Sequence, residues 1–308
     1  MDRRDSATIC RMTSSLQFEH LLADLSSARE EGAPLGWPAG TPVDLDEAYA
    51  VALAIRSQRI LAGEAAVGYK IGFTNRTIWP RYNVYAPIWG TVWQSGLALC
   101  CEPTAESVVS LAGLCEPRIE PEIVFCLRSE PPPACTLAQL LACIDWVAHG
   151  FEIVHTHFPG WKFTAAQAVA DAGLHGRLLV GKRVKLPAAQ GASSAAFDSS
   201  TQAASPASPA SLLATALSGL QVKLYCNGVL KDQGTGANVL DGPLQALLHF
   251  VQEIRATPQA PSLKAGDIVT TGTLTDAWPV QAGQAWHTTV ESSGPLVDQI
   301  LGLRVRFE

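Results

Sequence analysis

The chain has little charge for its length. Only 16% of its 308 residues are Asp, Glu, Lys or Arg, against 47% hydrophobic residues, and 22 Lys and Arg stand against 28 Asp and Glu. No long Lys/Arg cluster occurs, which argues against nucleic acid as the main partner and favours a small molecule. So much apolar sequence excludes a disordered chain and predicts a surface partly covered in a homo-oligomer.

Long apolar runs and paired cysteine motifs are also missing. No stretch of about 20 apolar residues occurs and the N-terminus has no apolar signal core, so we expect no membrane partner. The eight cysteines form no C-x-x-C pair, which predicts reduced, mostly buried thiols and a cytoplasmic location. G-x-S-x-G is absent and Gly234–Asn238 matches neither common phosphate-binding pattern, so serine hydrolase and nucleotide-binding functions have no support.

The hydrophobic pattern of the sequence changes near residue 66. Residues 1–65 carry two helical patterns, the second capped by Asp44 or Asp46 and ended by Gly63, and form a predicted helical N-terminal portion. Residues 66–308 are short apolar runs separated by glycine, typical of a β-rich catalytic domain. An Ala/Ser/Pro-rich stretch at 188–211 is predicted to be an insertion loop, with a domain linker as the alternative.

Several segments of the second part have clear secondary-structure patterns. The predicted helices are residues 137–149 and 243–255. The predicted strands are residues 119–127, 151–154, 178–181, 222–225, 267–271 and 303–307.

Two glutamates lead one of these strands. Because strand side chains alternate between faces, Glu120 and Glu122 share a face, with Cα atoms about 7 Å apart. Two anions in an apolar strand need a cation between them, and oxygen ligands suit Mg²⁺ or Mn²⁺. The alternative is a solvated strand end, although Pro121 favours an edge or a bulge where a site can open.

A third carboxylate, Glu152, lies in another predicted strand among apolar residues. It is either at a solvated strand end or paired with a cation. His155 and His157 follow closely, but an unbroken strand would point them to the opposite face. We therefore expect a structural or outer-shell role for both histidines.

One cation and one threonine-rich turn complete the candidates. Lys70 lies between two glycines in an apolar strand and is either a surface residue or a group that holds an anionic substrate or moves a proton. The run from Thr270 to Thr273 offers hydroxyl and N–H groups to a carboxylate, or is a plain turn.

Taken in order, five blocks resemble the fumarylacetoacetate hydrolase superfamily, in particular its 2-keto-4-pentenoate hydratase and 4-oxalocrotonate decarboxylase branch. The similarity spans about residues 45–308. The blocks are Gly68-Tyr-Lys-Ile-Gly-Phe-Thr, Pro87-Ile-Trp-Gly-Thr, Pro117-Arg-Ile-Glu-Pro-Glu-Ile, Phe151-Glu-Ile-Val with Trp161, and Leu263-Lys-Ala-Gly-Asp-Ile-Val-Thr-Thr-Gly-Thr.

The resemblance implies a fold, a site and an activity. The fold is α+β, a mixed β-rich roll or distorted barrel flanked by helices. Glu120, Glu122 and Glu152 become the ligands of Mg²⁺ or Mn²⁺, Lys70 the active-site lysine and Thr273 a contact to the substrate carboxylate. The implied protein is a homo-oligomeric lyase, acting like a hydratase on a 2-oxo or 2-hydroxydienoic acid from aromatic-compound catabolism.

Three alternatives stay open at this point. One is a 2-oxo-3-hexenedioate decarboxylase, because hydration and decarboxylation use the same electron sink. Another is a C–C bond hydrolase of the acylpyruvase or fumarylacetoacetase type, for which Glu19 and His20 are the candidate base pair. The third is a catalytically silent homologue, since Ile88 and the Ala-Gly-Leu run at 172–174 stand where the branch usually has polar residues.

Overall fold

The computed structural model describes residues 18–35, 44–100, 102, 105–187, 208–294 and 296–308. Most of the predicted insertion, residues 188–207, lies outside the described residues. Its last three residues, 209–211, begin a helix that Ser208 caps by accepting from Ser211 N. No helix in the described ranges combines the length and the apolar character that a membrane span requires.

The described helices pack around two sheets. They are α1, residues 18–31; α2, Leu45–Leu61; α3, Trp79–Tyr82; α4, Leu137–Ala142; α5, Ala165–Ala170; α6, Pro209–Gly219; and α7, Pro243–Ala256. Asp44 caps α2 by accepting a hydrogen bond from Glu47 N at 2.8 Å, as its position before the apolar pattern predicts.

The strands are β1, Ala66–Gly72; β2, Ile88–Trp93; β3, Leu97–Leu99; β4, Ser107–Val109; β5, Arg118–Leu127; β6, Ile144–Val154; β7, His175–Val180; β8, Val184–Lys185; β9, Gln221–Cys226; β10, Val229–Thr235; β11, Ile268–Thr273; β12, Trp278–Pro279; β13, Ala285–Glu291; and β14, Arg304–Phe307. All six predicted strands are present, and the predicted helix 243–255 is α7.

The strands form two sheets of different size. The larger has the order β2-β1-β11-β5-β6-β7-β3, with β12 beside β5 and β8 beside β6. The smaller has the order β10-β9-β13-β14-β4. Parallel and antiparallel pairs are mixed in both, and helices pack with them in shared apolar clusters, which gives the α+β class predicted from the sequence.

One predicted element is wrong. The helix predicted over 137–149 stops at Ala142, and β6 begins at Ile144. Ten of the eleven residues of β6 are buried, because sheet neighbours and packing cover both faces. Such a strand has no polar alternation, so periodicity does not separate it from a helix.

The N-terminal helices pack on the body of the protein. Leu21 and Leu25 of α1 share an apolar cluster with Val51 of α2 and Val154 of β6. An ion pair strengthens this contact, since Arg29 Nη2 lies 2.6 Å from Oδ1 of the fully buried Asp171. A buried carboxylate is stable only with such partners.

We predict that Arg29→Met lowers the free energy of unfolding by about 3–5 kcal/mol, because it leaves a buried charge underpaired. Urea denaturation measures the effect. The control is Arg76→Met, which removes an exposed pair with Asp241 and should cost about 1 kcal/mol or less. Equal losses in the two variants would contradict a stabilising role for the buried pair.

Candidate metal centre

Three glutamates meet in the middle of the larger sheet. Glu120 and Glu122 share one face of β5, and Glu152 of β6 lies directly opposite Glu120 in the antiparallel register. One carboxylate oxygen from each glutamate lies within 4.8 Å of the others. The structure thus brings together the three carboxylates that the sequence marked as metal ligands.

Glu122 is held by an irregularity in the neighbouring strand. The β11–β5 register shifts between Thr270 and Thr273, a β-bulge opposite Ile123. There Thr270 Oγ1 and Gly272 N, the latter at 2.8 Å, donate hydrogen bonds to Oε2 of Glu122. Its Oε1 is buried and has no hydrogen-bond partner among the described residues, so it is available to a ligand that is not part of the chain.

Glu152 has two partners with donor groups. Lys70 Nζ lies 3.1 Å from its Oε2, and His175 Nδ1 lies 2.8 Å from its Oε1. All three side chains are buried. Lys70 therefore faces the carboxylates from β1 rather than lying on the surface.

The three glutamates differ in the direction of their pKa shifts. Burial raises the pKa of Glu120 to about 7, in spite of Lys70 and with a further push from Glu152. Burial and the neighbouring Glu152 and Glu120 raise the pKa of Glu122 well above its usual value. Burial also acts to raise the pKa of Glu152, but Lys70 and His175 outweigh it and the pKa falls.

The pKa of Lys70 is raised as well. Burial alone would lower its pKa, but the three glutamates, Glu152 foremost, raise it above its ordinary value. One buried ammonium therefore faces three carboxyl groups. The residues present fit a hard divalent cation, because the donors are all oxygen and one buried oxygen lacks a partner.

A cavity of about 250 Å³ opens beside the carboxylates. Lys70, Glu120 and Thr273 line it. Thr273 Oγ1 also donates to Thr275 O at 2.9 Å, which holds its turn in place. Glu122 and Glu152 do not line this cavity, but they lie close to Glu120, and Glu152 also contacts Lys70.

Aromatic side chains form part of the cavity wall. Tyr82 stacks on Phe73 and on Phe163, with ring centroids 4.7 and 5.8 Å apart, and all three line the cavity. Trp89 instead packs in the core against Tyr49. The aromatic-rich stretch at 78–93 is thus divided between the cavity and the core.

Some of the residues at the site were not identified from the sequence. His175 gives no motif signal, because its relation to Glu152 depends on the pairing of β6 with β7. Thr270 and Gly272 belong to the threonine-rich turn, for which the sequence predicted a contact to a substrate carboxylate. In the structure both residues donate to Glu122 instead. Glu19 and His20, the candidate hydrolase base pair, are exposed on α1 and do not line the cavity.

The family profile described as fumarylacetoacetate (FAA) hydrolase C-terminal matches residues 105–301. The chain belongs to this family. The family assignment confirms the resemblance noted in the sequence, and the matched range includes all three glutamates of the site.

Named relatives of this chain are hydratases and decarboxylases. It is 28% identical over 251 residues to a 2-hydroxyhexa-2,4-dienoate hydratase of Comamonas testosteroni, covering 81% of this chain and 84% of the relative. It is 26% identical over 262 residues to a 4-oxalocrotonate decarboxylase of a Pseudomonas species, covering 85% and 89%.

A solved structure shares the fold of this chain. The 4-oxalocrotonate decarboxylase from Pseudomonas putida G7, complexed with magnesium and adipate, superposes with a TM-score of 0.75 at 23% identity. The match covers 96% of this chain and 98% of the other. It confirms the predicted α+β fold.

We predict that Mn²⁺ stabilises the protein more at about pH 8 than at about pH 6. A carboxyl group whose pKa is raised by folding stabilises the fold below its unfolded value of 4.5, and this contribution is lost as the pH rises through the folded value, about 7 for Glu120. Metal binding needs the ionised form. Thermal unfolding with EDTA or with Mn²⁺ at both pH values measures the difference.

Glu122→Gln is the control for this pH effect. It removes one titrating ligand, so both the Mn²⁺-induced rise in Tm and its pH dependence should shrink. A rise of equal size at the two pH values in the unaltered protein would show that these carboxyl groups are not the ones that bind the metal.

Proposed function

We propose that this protein is a divalent-metal-dependent lyase acting on a small 2-oxo or 2-hydroxydienoic acid. The observation that carries the proposal is the meeting of Glu120, Glu122 and Glu152 beside Lys70 at the edge of a cavity. The hydratase and decarboxylase names of its relatives support the same chemistry. The presence of all these side chains argues against a catalytically silent homologue.

In this proposal the three glutamates hold Mg²⁺ or Mn²⁺. When bound, the cation supplies Lewis-acid stabilisation of negative charge on the substrate's 2-oxygen. Glu122 is positioned for this by Thr270 and Gly272, and Glu152 by Lys70 and His175. Fixed ligands of this kind reduce the reorganisation that charge development requires.

Lys70 and Thr273 contact the substrate in this proposal. Lys70 is an ammonium group, since the carboxylates raise its pKa, and its Nζ can therefore donate to an anionic oxygen of the substrate. Thr273 Oγ1 donates its single hydrogen to Thr275 O, and in this proposal that hydrogen would turn from the carbonyl to the substrate carboxylate. The aromatic wall excludes water from the apolar part of the substrate.

A charge pattern in the cavity favours a dicarboxylic substrate. Arg81 and Arg118 line the cavity, and neither forms an ion pair with a carboxylate in the described part of the chain. Arg118 lies over the ring of Trp161, with its Cζ 4.1 Å from the ring centroid. A second carboxylate, distant from the metal, would match these guanidinium groups, as in 2-oxo-3-hexenedioate.

We predict that Glu122→Gln lowers metal-dependent kcat by at least about a hundredfold, because several kcal/mol of charge stabilisation depend on the bound cation. Turnover of 2-oxo-3-hexenedioate and 2-hydroxypenta-2,4-dienoate with Mg²⁺ or EDTA measures it, through dienol absorbance and CO₂ release. Glu253→Gln, a half-buried carboxylate of α7 outside the cavity, is the control. Full activity of the Glu122 variant would refute the ligand assignment.

We predict that Arg118→Gln raises KM for 2-oxo-3-hexenedioate about tenfold, the equivalent of one charge-assisted hydrogen bond. KM for the monocarboxylate 2-hydroxypenta-2,4-dienoate should stay unchanged. Arg306→Gln, on the smaller sheet, is the control. Equal changes for both substrates would show that Arg118 does not read a second carboxylate.

We also propose that the chain forms a homo-oligomer in the cytoplasm. Large apolar side chains are exposed on its surface, among them Leu61 at 87% and Val229 at 61%, and association would cover them. The six described cysteines are buried free thiols, which supports a reducing compartment. The proposed division into a helical portion, 1–65, and a catalytic domain, 66–308, assigns catalysis to the second part.

A further inference from the structure

A second group of metal-ligating side chains lies outside the carboxylate centre. Cys115 precedes β5, while His155 and His157 follow β6. One ligand atom from each of the three lies within 4.8 Å of the others. All three residues are buried, His157 completely.

His157 has the tautomer and the surroundings of a metal ligand. Its Nδ1 lies 2.7 Å from Oδ1 of Asp171, so the ring donates its hydrogen to that carboxylate. Nε2 then carries a lone pair, yet it is buried and has no hydrogen-bond partner among the described residues. A buried ring nitrogen in this state requires an explanation. A carboxylate behind a histidine is the usual outer shell of a zinc ligand.

His155 directs the lone pair of its Nδ1 towards the backbone of Cys115. Its Nδ1 accepts a long hydrogen bond, 3.3 Å, from Cys115 N. The two imidazole rings lie close together, with centroids 4.8 Å apart. Thus His157 Nε2 has no hydrogen-bond partner among the described residues, and His155 Nδ1 would exchange its long hydrogen bond with Cys115 N for a bond to a metal.

The cluster has a route to solvent. A cavity of about 380 Å³ is lined by His155 and by Gly113 and Leu114, the residues just before Cys115. Glu30 and three arginines also line this cavity, which has room for a water molecule as a fourth ligand to a metal at His155.

We propose that Cys115, His155 and His157 bind Zn²⁺. One thiolate and two imidazoles favour zinc over Mg²⁺ or Mn²⁺, whose preferred ligands are oxygen atoms. The site is distinct from the carboxylate centre in ligands and in metal class. Zinc would join the segment before β5 to the segment after β6 and, through Asp171 and Arg29, to α1.

The test uses Co²⁺ as the spectroscopic substitute for zinc. The full chain is stripped with a chelator, supplied with excess Mg²⁺ to fill the carboxylate centre, and titrated with Co²⁺. We expect a thiolate-to-cobalt charge-transfer band at one equivalent, which one equivalent of Zn²⁺ abolishes. Oxygen ligands alone give no such band, so the carboxylate centre does not contribute to it.

Matched variants identify the ligands. Cys115→Ser and His157→Gln should each lose the band, while Cys143→Ser, another buried thiol, should keep it. Circular dichroism of the metal-free variants checks that each is folded. If one of the two ligand variants does not fold, the other alone tests the proposal. No band in the unaltered protein, or a band that survives Cys115→Ser, would overturn the proposal.

Glu122→Gln separates this site from the proposed function. That variant should lose lyase turnover and keep the cobalt–thiolate band. Loss of the band in Glu122→Gln would show that the cobalt ion is bound at a site that depends on the carboxylate centre, and would overturn the separate zinc site.

Discussion

The burial of Glu122 and Glu152, with a half-buried Glu120 beside them, in the centre of one sheet is the constraint on which this structure depends. Carboxylates resist such burial unless donors and cations surround them. The chain supplies one ammonium, Lys70, and places it on Glu152 together with His175. Glu122 receives a hydroxyl and a backbone N–H instead. The sheet geometry at this point follows from those needs.

The β-bulge of β11 shows how closely the backbone follows that constraint. Gly272 has a φ of +98°, a conformation that favours glycine, and a Cβ atom there would lie 2.0 Å from Thr74 Oγ1. Only a residue without a side chain can direct its N–H to Glu122 in this position. The bulge also separates Thr270, which faces Glu122, from Thr273, which lines the cavity. One irregularity thus directs polar groups both to Glu122 and to the cavity.

Sequence patterns predicted the parts of the site that depend on local structure. Strand alternation put Glu120 and Glu122 on one face, and an apolar context marked Glu152 and Lys70. Local patterns do not contain the register between β6 and β7, so the contact between the side chains of His175 and Glu152 was not predictable. The helix predicted over 137–149 is wrong beyond Ala142 for a different reason. The burial of β6 removes the polar alternation that identifies a strand.

Charge balance explains how one site can be stable both with and without its cation. Lys70 and His175 keep Glu152 ionised, and its charge balances the Lys70 ammonium. Glu120 and Glu122, with raised pKa values, retain protons to a higher pH. A divalent cation that replaces these two protons leaves the net charge of the four side chains and the ion unchanged. Lys70 therefore need not leave when the cation enters, and it stays at the wall of the cavity.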